Sequence, residues 1–397
     1  MTSRALAEVK IRLERRPREI EELRSAGRKV VGTFCVYVPE ELIHAAGLIP
    51  IRLVKGGNPD VDALGDHYLS TGSCPFARAC LGYKEVNRDP YFASVDAVAE
   101  APTCLQMERV LELYHKYFGV EILPISFPRT YFYAPDADGF RFFMDQLQWF
   151  KGRLEELAGA PITEERLRES IRLFDATREK LHRIYGLLRM DVPPLRWEEA
   201  FKLVHAGFYL DRREYDALLG DVIAELEAAC DPAAADPDAG PDSLPRLMIF
   251  GGCLADGDDK IVEVVKSVNA RVVIDDFCTG SRVFWNLTGG DTLEELAKRY
   301  LTKVPCGSLP YPHREGDPKI AHITSLAKEY RVDGVIYYAL RCCDPYIFKT
   351  ERFRRVLEGM GIPMLDLVSE YTPSDLDELQ IQVENFVETL ELARMRG

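Results

Sequence analysis

The chain has 397 residues, 47% hydrophobic and 29% charged, with a formal net charge of −14. That length exceeds one ordinary core and predicts two or three domains of a soluble globular protein, not a fibrous or disordered one. The acidic excess, 64 Asp and Glu against 50 Lys and Arg, argues against a nucleic-acid backbone as the main partner.

The first residues, MTSRALAEVKIRLERRPREIEELRSAGRK, are charged throughout and lack the apolar segment of a signal peptide. No run of about 18 apolar residues occurs, so the expectation is a cytoplasmic protein that does not engage a membrane. In that reducing compartment ten cysteines are expected as core residues, metal ligands or a mixture, not as a disulfide framework.

Residues 1–30 have helical spacing and form a lead-in helix. VVGTFCVYVPEELIHAAGLIPIRL (30–53) reads as strand, turn, helix, strand, with Pro39 suited to the first helical turn, Glu40 and Glu41 to the dipole, and Gly47 to the end. It opens a first α/β domain over 31–136, continued by SCPFARACLGYKEV, VDAVAEAPTC and VEILPISFPRT. Over 137–232 the pattern changes to long amphipathic helices, such as TEERLRESIRLFDATREKLHRIYGLL, which predict a helical linking subdomain. The Ala-, Asp- and Pro-rich stretch at 233–245 reads as a linker. A second α/β domain over 246–397 alternates strands (RLMIFGGCL, RVVIDDFC, VDGVIYYALRCC, IPMLDLV) with helices and closes on LDELQIQVENFVETLELARM. Two α/β domains joined by helices enclose a cleft.

Cysteines fall unevenly on this layout. Cys35, Cys104, Cys253, Cys278 and the adjacent pair Cys342 and Cys343 lie at or near the C-terminal ends of predicted strands, the edge where open α/β sheets bind ligands. Cys74 and Cys80 occupy a loop-to-helix segment whose N–H groups favour a thiolate. Cys230, beside the linker, reads as an inert or surface thiol. There is no CxxC, and the seven histidines show no metal-binding spacing, so soft ligands of this kind point to iron–sulfur rather than a hydrolytic metal. Taken singly each cysteine is better explained as a small core residue than as a ligand; the adjacency at 342–343 is what demands more, because neighbouring thiols rarely bridge each other.

Weaker signals accompany them. GGCLADGDDK (251–260) lacks the order of a nucleotide loop. Arg78 and Arg282 suit an anionic ligand group or a salt bridge. Tyr37, His44, Tyr337 and Tyr338 are candidate proton donors, with packing as the plainer role.

GTFCVYVPEELIHAAGLIP, STGSCPFAR, the APTC strand end, DDFCTGSR, VPCGSLP, VDGVIYYALRCCDPY, GIPMLDLVSEY and ENFVETLE together resemble the 2-hydroxyacyl-CoA dehydratase and benzoyl-CoA reductase catalytic subunits, with the related double-cubane cluster proteins, over nearly the whole chain. The resemblance implies two flavodoxin-like (Rossmann-like) three-layer α/β domains with an iron–sulfur cluster in the cleft. It also implies an acyl-CoA substrate, a homologous cluster-bearing catalytic subunit, a two-subunit ATP-dependent activator, and ferredoxin as upstream donor. By motif, Cys74, Cys104 and one of the 342–343 pair, Cys343, correspond to the ligands of a single 4Fe-4S cubane. The chain departs from that pattern in its surplus of thiols. Cys80, Cys342 and Cys35 supply a further set for an 8Fe-9S double cubane, with Cys306 and Cys278 in reserve. Tyr37, His44 and Arg78 are the expected catalytic side chains. The resulting expectation is the cluster-bearing subunit of an ATP-dependent benzoyl-CoA reductase. The rivals are a homodimeric double-cubane reductase of small molecules, an (R)-2-hydroxyacyl-CoA dehydratase subunit, and a cluster-free scaffold.

Overall fold

The computed structural model describes residues 4–101, 103–129, 136–230, 244–309 and 316–396. Among the described residues, eight strands build two four-stranded parallel sheets. The first comprises β1 (Val30–Thr33), β2 (Ile49–Arg52), β3 (Ala97–Glu100) and β4 (Glu121–Pro124). The second comprises β5 (Arg246–Gly251), β6 (Arg271–Asp276), β7 (Gly334–Leu340) and β8 (Met364–Ser369). Their orders are β2-β1-β3-β4 and β6-β5-β7-β8, with every neighbouring pair parallel. The two sheets thus repeat one flavodoxin-like winding, as the expectation of two α/β domains required.

Burial follows position in the sheet. The central strands β1, β3, β5 and β7 are buried along their whole length, which is why they read as unbroken apolar runs such as GVIYYAL. The edge strand β8 mixes buried Met364, Leu367 and Ser369 with exposed Asp366 and Val368. Between the sheets in sequence, the described residues form the four helices Ala137–Ala158, Glu164–Leu187, Trp197–Ala206 and Arg212–Ala229. All but residues 244–245 of the expected linker lie outside the described residues.

Backbone contacts join the two sheet units directly. Lys55 and Asp256 form a parallel bridge, flanked by Gly56 N donating to the Asp256 carbonyl at 3.0 Å and Asp256 N donating to the Val54 carbonyl at 2.7 Å. The approach needs glycine. A Cβ on Gly57, whose φ is +74°, would stand 1.9 Å from the Gly257 carbonyl oxygen. Beside this bridge, Arg52 at the end of β2 donates from Nη1 to the Cys278 carbonyl at 2.7 Å.

Side chains fasten the helical layer to both units. Glu41, fully buried on the short helix Glu40–Ala45, pairs with Arg178 of Glu164–Leu187 and accepts from Tyr300 Oη at 2.8 Å. Burial alone would raise the Glu41 carboxyl; Arg178 and Arg299 outweigh it and hold the group at about 2. Asp275 on β6 accepts from Tyr185 Oη at 2.8 Å, Trp197 Nε1 at 2.9 Å and Ser281 N at 2.8 Å.

Two measurements follow. Gly57→Ala is expected to lower the unfolding free energy by about 2 kcal/mol or more in a denaturant titration, because the bridge must open to admit a methyl group. Glu41 has a folded pKa below its unfolded one, so its contribution is complete above pH 4.5 and is lost as pH falls toward 2. Denaturation across that window should show roughly 3 kcal/mol of acid dependence that Glu41→Gln removes.

Candidate iron–sulfur site

In a sheet wound 2-1-3-4, the direction in which successive strands are added reverses between the first and third strands, leaving a crevice beyond their C-terminal ends. Cys35 follows β1 and Cys104 follows β3; Cys253 follows β5, and Cys342 and Cys343 follow β7. Both crevices therefore carry thiols at equivalent positions. They open onto one cavity of about 100 Å³, lined by Cys35, Cys74, Cys104, Cys253, Cys278, Cys306, Cys342 and Cys343. Phe34, Phe76, Met107, Leu340 and Pro345 make most of the remaining wall apolar.

Three of the thiols begin helices. Cys74 is the N-cap of Pro75–Val86, Cys104 of Leu105–Phe118, and Cys343 of the single turn Asp344–Ile347. Cysteine is an unusual choice where Ser, Thr, Asp or Asn cap best. It places sulfur where free N–H groups and the helix dipole favour a thiolate. Cys342 has a left-handed φ of 60°, which turns the chain so that both members of the adjacent pair face the cavity.

Electrostatics divide the thiols. Cys74 and Cys343 compete for one proton; the N–H groups of Phe76 and Ala77 tip it so that Cys74 is lowered and Cys343 raised. Cys253 and Cys278 form a second such pair, in which Cys278 is brought down to about 5 by Cys253, Arg282 and Arg52 against the effect of burial. Cys306 is lowered because Arg282 and Ser308 overcome its burial, with Ser308 Oγ donating at 3.2 Å. Burial pushes Cys35 well up and Cys104 up to about 12.

Cationic groups reach the site from behind. Arg282, 1% exposed, donates to Tyr346 Oη at 2.7 Å and to the Gly251 carbonyl at 2.8 Å. Tyr346 Oη in turn accepts from Gly307 N at 3.0 Å and stands 3.7 Å from the Cys306 sulfur. Glu100 Oε2, at the end of β3, accepts from Phe34 N at 3.1 Å and Cys35 N at 3.0 Å. Burial pushes that carboxyl up to about 8, leaving it mostly protonated at neutral pH.

Of the expected cluster ligands, the structure brings together Cys35, Cys74, Cys104, Cys342 and Cys343, with the reserves Cys278 and Cys306. Cys80 is absent from the lining. Six residues along a helix turn a side chain about 120° away from the starting direction, and Cys80 packs fully buried in the core. Tyr37 is buried beside the cavity, donating to the Val304 carbonyl at 3.3 Å and accepting from Cys306 N at 3.2 Å, so it positions Cys306. His44 lies among packed helices, with Nδ1 2.9 Å from Ser170 Oγ. Arg78 pairs with Asp62 and Asp66, each at 2.8 Å. Neither lines the cavity. Sequence reasoning passed over Arg52, Glu100 and Tyr346. The signals were a charge ending each of the apolar strands IPIR and AVAE, and a tyrosine just beyond CCDP.

The donor set fits an iron–sulfur cluster. Thiolates are its usual ligands, and a dry wall with cations behind suits its negative charge. Among the described residues no three donors converge on one point as a single-ion site requires; a cluster presents a different iron to each thiolate, so its ligands spread over a wider cavity.

Comparison with known proteins gives the family. Residues 35–390 match the family model described as 2-hydroxyglutaryl-CoA dehydratase, D-component. The chain is 25% identical over 376 residues to "Putative dehydratase subunit YjiM" of Escherichia coli (strain K12), covering 94% of each. It is 23% identical over 380 residues to the (R)-phenyllactyl-CoA dehydratase beta subunit of Clostridium sporogenes, covering 94% of each. To a benzoyl-CoA reductase subunit of Thauera aromatica it is 23% identical over 368 residues, 92% of each. With a match spanning both α/β units and every cavity-lining cysteine, the chain belongs to the 2-hydroxyglutaryl-CoA dehydratase D-component family.

Proposed function

We propose that the chain is the cluster-bearing subunit of a low-potential reductase of the benzoyl-CoA reductase kind, holding an 8Fe-9S double cubane. The observation that carries this reading is the eight thiols on one cavity, more than the three a single cubane takes from the protein. Cys74, Cys104 and Cys343 would hold one half. Cys342 and Cys35 stay in the second set, and Cys253, Cys278 and Cys306 are the candidates for its remaining place. When bound, such a cluster supplies electrons at a potential low enough to reduce an unsaturated acyl group.

The chain's own residues prepare the site. Phe34, Phe76 and Met107 exclude water, which strengthens every charge interaction within. Arg282 and Arg52 balance thiolate charge at Cys278, while Tyr37 and Ser308 fix Cys306. Glu100 holds a proton beside the Cys35 amide. Its place is behind the thiols, so it acts as a positioning residue.

A partner surface supports the multi-subunit part of the reading. Leu105, next to Cys104, is 73% exposed, and Phe348, shortly after Cys343, is 81% exposed. Large apolar side chains exposed this close in sequence to the thiols of the cavity suit a covering protein. The partners proposed are a homologous catalytic subunit and a two-subunit ATP-hydrolysing activator fed by ferredoxin. The contact between Cys74 and Cys343, with Cys104 on the same cavity, favours a second reading, a single-cubane dehydratase subunit.

Iron and acid-labile sulfide per chain, measured after oxygen-free purification alone and with co-expressed partners, separate these readings. About eight irons are expected for the double cubane; about four would select the dehydratase, and none in either preparation would overturn both. Cys74→Ser and Cys343→Ser should each lose at least half the iron and change the EPR of the reduced protein. Cys80→Ala should keep the iron content and cost about 1 kcal/mol of stability, as for a small buried side chain.

A further inference from the structure

A second cavity, of about 40 Å³, lies on the other side of the 34–38 loop; Val36 lines both. Its walls come from three parts of the fold. Arg52 ends β2 of the first sheet, Arg178 and Arg212 belong to the helical layer, and Arg299 lies on the helix Leu293–Thr302 of the second α/β unit. Glu40 is the carboxylate among the lining residues.

The arginines are unequally answered. Arg178 pairs with Glu41 and Asp175, and Arg212 with Glu40 at 3.3 Å. Arg52, 2% exposed, and Arg299, 3% exposed, have no carboxylate within ion-pair distance among the described residues. Their bonds go to carbonyls: Arg52 to Phe34 and Cys278, Arg299 to Asn286 and Val283. Three buried guanidinium nitrogens, Arg52 Nη2, Arg212 Nε and Arg299 Nη1, have no hydrogen-bond partner among the described residues. Glu40 and Glu41 offset part of this charge, and buried cations with unspent donors are costly unless a further counter-charge joins them. The neighbouring Lys303 reports the same field, since burial first, then Arg299, Arg178 and Arg52, hold its ammonium well below the usual range.

We propose that this cavity binds a small tetrahedral oxyanion of the phosphate type, which joins Arg52, Arg212 and Arg299 and so ties the three parts of the fold behind the thiol-bearing loop. The volume has room for roughly three waters or one such ion. Planar guanidinium groups suit oxyanions through charge-assisted bonds better than they suit a spherical halide. A free phosphate ion and a phosphoryl group carried on a larger molecule share this chemistry. The proposal is independent of the cluster reading.

The test uses the full-length chain purified without oxygen and freed of phosphate and sulfate. Inorganic phosphate is titrated while thermal unfolding and binding heat are followed, with potassium chloride at matched ionic strength as control. The expected result is a saturable rise in unfolding temperature with phosphate and none with chloride, by linkage to the folded state. Arg299→Met and Arg212→Met should each weaken phosphate binding by about tenfold or more. Should these variants fail to fold, crystals of the unaltered protein grown with selenate give the answer: an anomalous peak among Arg52, Arg212 and Arg299 is expected. No saturable phosphate effect, an equal effect of chloride, undiminished binding in both folded variants, or selenate only elsewhere would each overturn the proposal. Phenyl phosphate binding as well as phosphate would identify a carried phosphoryl group as the ligand; its exclusion would identify the free ion.

Discussion

Parallel strand pairing is the constraint on which the rest of this structure depends. In each sheet all four strands end on the same edge, so whatever follows a strand is delivered to one side of the molecule. Winding in the order 2-1-3-4 then opens a crevice between the first and third strands. The chain places cysteines just beyond those strands in both sheets. A backbone bridge between residues 54–56 and Asp256 brings the two edges together and turns two crevices into one cavity.

That arrangement gathers groups which repel one another once ionised. Several thiolates in an apolar cavity would be expensive without compensation. The compensation is built into the surrounding backbone and cations. Helix N-termini receive Cys74, Cys104 and Cys343, and Arg282 and Arg52 stand behind Cys278 and Cys306. The thiols also share protons in pairs, so the protein without a cluster need not carry every negative charge at once. A cluster would replace those protons with iron.

The helical layer contributes through buried charge. Its Arg178 meets Glu41 of the first unit and its Tyr185 and Trp197 meet Asp275 of the second. Lys303 Nζ, donating to the Val36 carbonyl at 3.0 Å, and Tyr300 Oη, donating to the Val38 carbonyl at 3.2 Å, hold the 34–38 loop between two cavities of opposite character, one lined by sulfur and the other by guanidinium groups, while the Arg178–Glu41 ion pair joins the helices beside it. Such pairs carry specificity of arrangement more than raw stability, because desolvation consumes much of the Coulomb gain.

Much of the fold was legible because it is local. Strand runs such as RVVIDD and GVIYYAL, the end of a short helix at Gly47, and the amphipathic stretches after 137 all follow from periodicity and residue chemistry in a short window. The sequence alone also placed most cysteines at strand ends, and so at a ligand-binding edge. It could not decide which thiols face one cavity. Cys80 reads as a partner to Cys74, yet helix geometry turns it into the core, and His44 and Arg78 become packing and ion-pair residues for the same directional reason. Conversely Arg52, Glu100 and Tyr346 acquire their roles only from groups dozens to hundreds of residues distant, such as the Cys278 carbonyl, the Cys35 amide and Arg282. Strand ends are set by local chemistry, whereas the meeting of two sheet edges depends on a close glycine contact and long-range hydrogen bonds that no short stretch of sequence encodes.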